Sequence, residues 1–182
     1  MTDPLPLSID LLVLGYGYSA RHGVACLRPR LRSLAATARN PDKAARMTAA
    51  GIPTLNLGLP HASLILPHAI RLASHVLVSA GPSEAGDPFL EPYRAALAEA
   101  GRAGTLKWIG YLSTVGVYGN ADGGFVDEAT VPEPASERTR WRIAAETAWA
   151  DLGRDLGVPV AILRLAGIYG PGRNAFVNLE KG

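Results

Sequence analysis

Apolar positions along the chain fall into two alternating rhythms. Short apolar runs of strand length recur at residues 9–14, 31–38, 52–57, 75–80, 106–113 and 158–165. Between them, apolar residues return at helical spacing, as at Val24, Ala25 and Leu27, and at Phe89, Leu90, Tyr93, Leu97 and Ala100. Asn40-Pro41 reads as an N-cap followed by proline at the first helical position, opening a helix that ends near Gly51. Asp87-Pro88 starts another helix, closed by Gly101 and Gly104. Ser136 caps a long helix to about Leu156, with Trp141, Ala145, Ala148, Leu152 and Leu156 as its buried stripe and Gly157 as its end. Residues 61–73 carry no clear mark, and residues 116–135 form a polar loop rich in Gly, Asp and Pro. Strands alternating with helices imply right-handed crossovers and a parallel sheet covered on both faces. The prediction is α/β: a three-layer Rossmann fold with a parallel sheet of about six strands in the order 3-2-1-4-5-6. A ligand crevice then lies at the carboxyl ends of the first and fourth strands.

Composition narrows the picture without redirecting it. At 182 residues, 48% of them apolar, the chain suits one domain with a self-sufficient core. A net charge of +2 with scattered Lys and Arg offers neither a nucleic-acid patch nor a polybasic membrane segment. No apolar run approaches the roughly 20 residues of a membrane span, and Met-Thr-Asp-Pro carries no basic leader, so a cytoplasmic location is expected. The single cysteine, Cys26, excludes an internal disulfide and a multi-cysteine metal site; its place in the first helix predicts a buried small hydrophobe.

Chemistry concentrates first in Gly15-Tyr16-Gly17-Tyr18-Ser19-Ala20, between the first strand and the first helix. That is the context a dinucleotide fingerprint requires. Gly15 permits the tight turn, Gly17 lets backbone approach a pyrophosphate, and Ala20 keeps helix and strand close. The amides opening the helix would face the phosphates. An ordinary strand-to-helix turn is the plainer alternative. At the end of strand two, an acid would bind the ribose 2′-hydroxyl of NAD, whereas a basic residue accommodates the 2′-phosphate of NADP. The chain has Thr37-Ala38-Arg39-Asn40, with Lys43 one turn into the helix, so Arg39 favours NADP over NAD unless it is only an exposed loop arginine.

Two further blocks stand out: Tyr111-Leu-Ser113-Thr114-Val-Gly-Val-Tyr118-Gly119 followed by Asp127-Glu128, and Leu163-Arg164-Leu-Ala-Gly167-Ile-Tyr169-Gly170-Pro-Gly172-Arg173. With the glycine motif they resemble the extended and atypical short-chain dehydrogenase/reductases, the superfamily of the NAD-dependent epimerase/dehydratases, over essentially the whole chain. The resemblance implies an oxidoreductase or epimerase/dehydratase acting on a nucleotide sugar or another small hydroxylated metabolite, with NADP or NAD as cofactor, and it allows a homodimer. It places Ser79 and Ala80 among the residues that bind the cofactor. Thr114 falls on the family's catalytic Ser/Thr, against the alternative of a strand-end threonine bonded to backbone. Tyr118 is a second hydroxyl in reach of the chemistry or a packing residue, and Glu128 a loop acid near substrate or a solvated charge. Tyr169 and Arg173 border the substrate pocket in the family.

The departures matter as much. Glu146 matches the glutamate that follows the family's Tyr-x-x-x-Lys, which sets Arg142 on the lysine position and Arg138 on the tyrosine position. Arginine keeps a charge that can bond a ribose or phosphate, but with a pKa above about 12 it cannot relay a proton near neutrality. Arg142 can therefore take the binding role, while Arg138 cannot take the acid–base role; alternatively both are exposed, with Arg142 and Glu146 paired at i, i+4. Strand three ends in Asn56 without the family's aspartate. Extended members also continue well past the equivalent of Gly182, so the chain is expected to lack a C-terminal substrate-binding portion. A dinucleotide-binding or sensor module without turnover is the competing reading.

Overall fold

The computed structural model describes residues 7–174 together with Val177 and Leu179. Six parallel strands form one sheet in the order β3-β2-β1-β4-β5-β6, as the alternation of strands and helices predicts. They are β1 (Ile9–Leu14), β2 (Leu34–Ala38), β3 (Thr54–Asn56), β4 (Ala73–Val78), β5 (Trp108–Thr114) and β6 (Val160–Leu165). The helices are α1 (Tyr18–Leu27), α2 (Pro41–Ala49), α3 (Ala62–Leu72), α4 (Leu90–Arg102) and α5 (Glu137–Leu156). Short 3₁₀ turns occupy Arg28–Arg30 and Val115–Tyr118.

The sheet buries both faces at its centre, which is why β1 reads as a continuous apolar run rather than an alternation. Ile9, Leu12 and Leu14 enter the core beneath α3, α4 and α5, with Leu66, Ile70, Leu97 and Trp149. Leu11 and Val13 point to the opposite face, where Ala20 and Val24 of α1 and Ala44 and Met47 of α2 cover them. The register Leu12↔Val76 and Leu12↔Ala35 fixes β1 between β4 and β2, so their carboxyl ends open on the same edge.

Helix ends follow local chemistry. Asn40 Oδ1 accepts from Lys43 N at 2.8 Å, with Pro41 at the first helical position. Ser136 and Thr139 form a reciprocal capping box on α5, and Gly157 closes that helix at φ 65°. Asp87 caps α4 through Oδ1, which accepts from the amides of Phe89 (2.9 Å) and Leu90 (3.0 Å).

Four expectations shift. Residues 62–72 are helical although Pro67 lies inside; Ala62, Leu66, Ala69 and Ile70 supply a buried face at i, i+4, i+7 and i+8 that outweighs the proline. The α5 core side chain is Trp149, fully buried, whereas Trp141 is half-exposed, because Trp149 Nε1 finds the Asp87 carboxylate at 3.1 Å. Cys26 is exposed, on the outer face of α1. Glu146 pairs not with Arg142 one turn away but with Arg164 of β6. Among the described residues, no helix is long and apolar enough to cross a membrane, and no cluster of His, Cys, Asp and Glu could hold a metal ion.

Candidate functional site

A crevice opens where β1 hands over to β2 on one side and β4 on the other, the switch point of the sheet. Its floor is tied by backbone bonds that the sequence motif dictates. Gly15 N donates to Thr37 Oγ1 (2.8 Å) and Tyr16 N to Thr37 O (3.2 Å), while Ser79 N and Ala80 N both donate to Leu14 O (2.9 and 3.2 Å). Gly15 sits at φ +87°, and a Cβ there would lie 2.9 Å from Ala80 N, so only glycine fits this turn. At Gly17 a Cβ would project into open space, its nearest neighbour Ser79 Oγ at 3.6 Å. That opening is the cradle a bound group would fill.

Gly17 is also the N-cap of α1, and no side chain caps that helix. The amides of Tyr18, Ser19 and Ala20 therefore begin the helix without intrahelical partners and carry the positive end of its dipole. The cavity beside the Gly15–Gly17 turn measures about 460 Å³. Of the residues expected at the cofactor, Gly15, Gly17, Arg39, Ser79 and Ala80 line it, together with Lys43, Leu57, Phe89 and Tyr93, whereas Tyr18, Ser19, Ala20 and Arg142 do not. Its donors, its turn and its size fit a nicotinamide dinucleotide.

Arg142 reaches the rim of this crevice from α5. Its Nη1 donates to Leu112 O at 2.9 Å and Tyr111 Oη at 3.3 Å, and its guanidinium lies against Gly81, a lining residue. The Tyr111 hydroxyl beneath it is pushed up to about 12 by burial, only partly offset by the Arg142 charge. Arg138, on the position of the family tyrosine, is exposed.

The remaining candidates gather elsewhere. Thr114 ends β5, and its hydroxyl accepts from Gly116 N at 3.1 Å, capping the 3₁₀ turn that follows. Tyr118 is buried; its hydroxyl donates to Asp127 O at 2.6 Å and accepts from Arg164 Nη1 at 2.8 Å, with the guanidinium 4.8 Å over its ring. Tyr118, Asp127, Glu128 and Arg164 line a second cavity, of about 670 Å³, that shares no lining residue with the crevice. Arg164 in turn reaches Glu146 at 2.8 Å, and the Ser113 hydroxyl donates to the same carboxylate. Tyr169 is exposed, while Tyr18 donates to Pro171 O at 3.2 Å and carries the Arg173 guanidinium 5.5 Å above its ring. Ser19 and Ala20 stay in the first turn of α1, behind the Gly17 opening.

Sequence reasoning missed the wall formed by Phe89 and Tyr93, whose rings stack at 6.3 Å. Their helical spacing signals an α4 core stripe, and the spacing is right; only the sheet position of α4 turns these two toward the crevice. It also missed Thr37, which ties β2 under the turn and carries no motif of its own.

No protein-family model matches the chain, and no curated protein sequence matches it. Solved structures do. A functionally unknown conserved protein from Silicibacter pomeroyi is 38% identical at a TM-score of 0.79, covering 96% of this chain and 58% of that one. A candidate NAD-dependent epimerase/dehydratase from Methylobacillus flagellatus is 25% identical at a TM-score of 0.67, covering 92% and 57%. MoeE5, in complex with UDP-glucose and NAD, is 26% identical at a TM-score of 0.67, covering 94% and 59%. The chain thus spans less than two thirds of each.

Proposed function

We propose that this chain, which belongs to the NAD-dependent epimerase/dehydratase group of the short-chain dehydrogenase/reductase superfamily, binds NADP in preference to NAD and serves an oxidoreductase or epimerase/dehydratase reaction. Its substrate class is a nucleotide sugar or another small hydroxylated metabolite. The observation that carries the reading is the uncapped start of α1 facing the open space at Gly17, on the edge where β1 and β4 diverge. In this reading the chain forms one dinucleotide-binding domain, and the family resemblance allows a homodimer.

Each part of the chain has a physical task. The amides of Tyr18, Ser19 and Ala20 receive the pyrophosphate, whose charge the helix dipole favours. Arg39, exposed at the end of β2, offers a bidentate partner to the 2′-phosphate. Ser79 and Ala80 support the nicotinamide half, and Arg142 presents its charge to the nearby ribose from the rim. Thr114 orients a substrate oxygen by its hydroxyl, while Tyr118, buried and bonded to Asp127 O and Arg164, takes the packing role. When bound, the nicotinamide would exchange a hydride with substrate, donated by its reduced form or accepted by its oxidised form.

One observation favours the second reading, a dinucleotide-binding or sensing module without turnover. Arg138 stands where the proton-relaying phenol belongs, and Arg142 is already bonded to Leu112 O and Tyr111. Loss of an acid–base group costs about 10²- to 10⁴-fold in rate. Calorimetric titration tests binding: Gly17→Val should abolish dinucleotide affinity while the fold survives, and Arg39→Asp should reverse the NADP-to-NAD preference. Unchanged binding by both variants refutes the assignment. NADPH oxidation with aldehydes, ketones and keto-sugars then separates enzyme from sensor.

A further inference from the structure

The segment after β6 folds back onto the first turn of α1. Gly170 N donates to Arg173 O (2.8 Å) and Arg173 N to Gly170 O (2.9 Å), which closes a two-residue hairpin. Pro171 and Gly172 fill its corner, Gly172 at φ +70°, in positions that favour those two residue types. The side chain of Tyr18 holds the hairpin in place. Its hydroxyl donates to Pro171 O at 3.2 Å, and its ring carries the Arg173 guanidinium at 5.5 Å and the Arg21 guanidinium at 5.7 Å, with the His22 ring 4.5 Å away. Gly170 makes the approach possible, since a Cβ there would run into the Tyr18 hydroxyl and its φ of +152° disfavours any other residue. Among the described residues neither Arg21 nor Arg173 makes a salt bridge, so the clasp gathers two uncompensated charges at the start of α1.

Tyr18 therefore serves two places at once. Its amide opens α1 beside Gly17, and its side chain grips the hairpin that follows the exposed Tyr169. We infer that Tyr18 is a positioning residue that couples the dinucleotide site to the loop after β6, so that a bound pyrophosphate draws the Gly170–Arg173 hairpin shut. The inference rests on the dinucleotide reading above. Charge supplies the link. Closed, the hairpin sets the Arg173 cation against the first residue of the helix that receives the phosphates; open, it leaves that cation screened by solvent. A dinucleotide binds the closed form more tightly by that difference, and by linkage it favours closure by the same factor. Tyr169 directly precedes the hairpin, so the same event fixes its position.

The test is hydrogen exchange of the Gly170 and Arg173 amides, read by mass spectrometry with and without saturating NADP or NAD, beside calorimetric titration of the same proteins. Wild type is compared with Gly170→Ala, which pushes the hairpin off Tyr18, and with Arg173→Gln, which keeps the backbone hairpin and removes its charge. In wild type the dinucleotide should slow exchange about fivefold or more, within the usual range of coupling between sites. Both variants should lose that protection and bind dinucleotide more weakly by a matching factor, whereas a merely structural clasp would alter exchange without altering affinity. A wild type that binds dinucleotide with no change in exchange overturns the inference and leaves the proposed function standing. Wild-type protection in either variant overturns it too. A wild type that binds neither NADP nor NAD refutes the proposed function, and the coupling falls with it.

Discussion

Replacing Glu146 by alanine removes the carboxylate that joins α5 to β5 and β6. Glu146 is 5% exposed and accepts from the Ser113 hydroxyl and from Arg164 Nη2 at 2.8 Å and Nε at 3.2 Å. Breaking a buried ion pair from one side costs about 3–5 kcal/mol, mostly through the charge left behind. Here the Arg164 side chain keeps 21% exposure and its bond to the Tyr118 hydroxyl, so water and phenol recover part of that cost. The expected loss is about 2–3 kcal/mol by that discount. For a domain of this size it lowers Tm by roughly 5–10 °C. Chemical denaturation of Glu146→Ala, Arg164→Met and the double variant measures it. The cycle should show a coupling above about 1 kcal/mol, since removing both charges leaves neither uncompensated. A Glu146→Ala protein within about 0.5 kcal/mol of wild type, or strict additivity, refutes the reasoning.

Gly15→Ala should destabilise by about 1–3 kcal/mol, read by thermal melting, because alanine meets both the positive φ and the Ala80 backbone. Tyr111 stays protonated in the fold up to about pH 12, while the unfolded chain ionises near 10. The folded state then holds the extra proton, so stability present below about pH 10 is lost as pH rises from there towards 12, by up to roughly 2–3 kcal/mol. Burial raises Tyr16 and Tyr93 as well, in the same direction, so Tyr111→Phe should reduce this alkaline loss without removing it. NADPH oxidation by the unmodified chain with simple carbonyl substrates should stay at background, since Arg138 cannot donate the proton. Robust saturable turnover would point to Thr114, Tyr118 or Tyr169.

Much of this was legible in the chain because several local signals agree. An apolar run, a glycine turn and resumed helical spacing specify β1, the turn and α1, and the alternation of elements orders the sheet. The Ser136 and Gly157 caps mark α5 within a residue at either end. Pro67 concealed α3, since a proline argues against a helix unless tertiary burial overrides it. The choice of Trp149 over Trp141 depended on Asp87, a partner 62 residues away in sequence. The link from Glu146 to Arg164 crosses from α5 to β6, whereas helical spacing offers only the neighbour Arg142. The clasp of Tyr18 on Pro171 is equally invisible to pattern, because 153 residues separate the two partners in sequence.

A crystal structure of the chain with saturating NADP tests the central claim most directly. The account predicts the pyrophosphate over Gly17 against the first-turn amides of α1, the adenosine ribose towards Arg39 and Lys43, and the nicotinamide towards Gly81 and Arg142. Dinucleotide bound away from the Gly15–Gly17 turn, or a crevice that stays empty with both NADP and NAD, would contradict it.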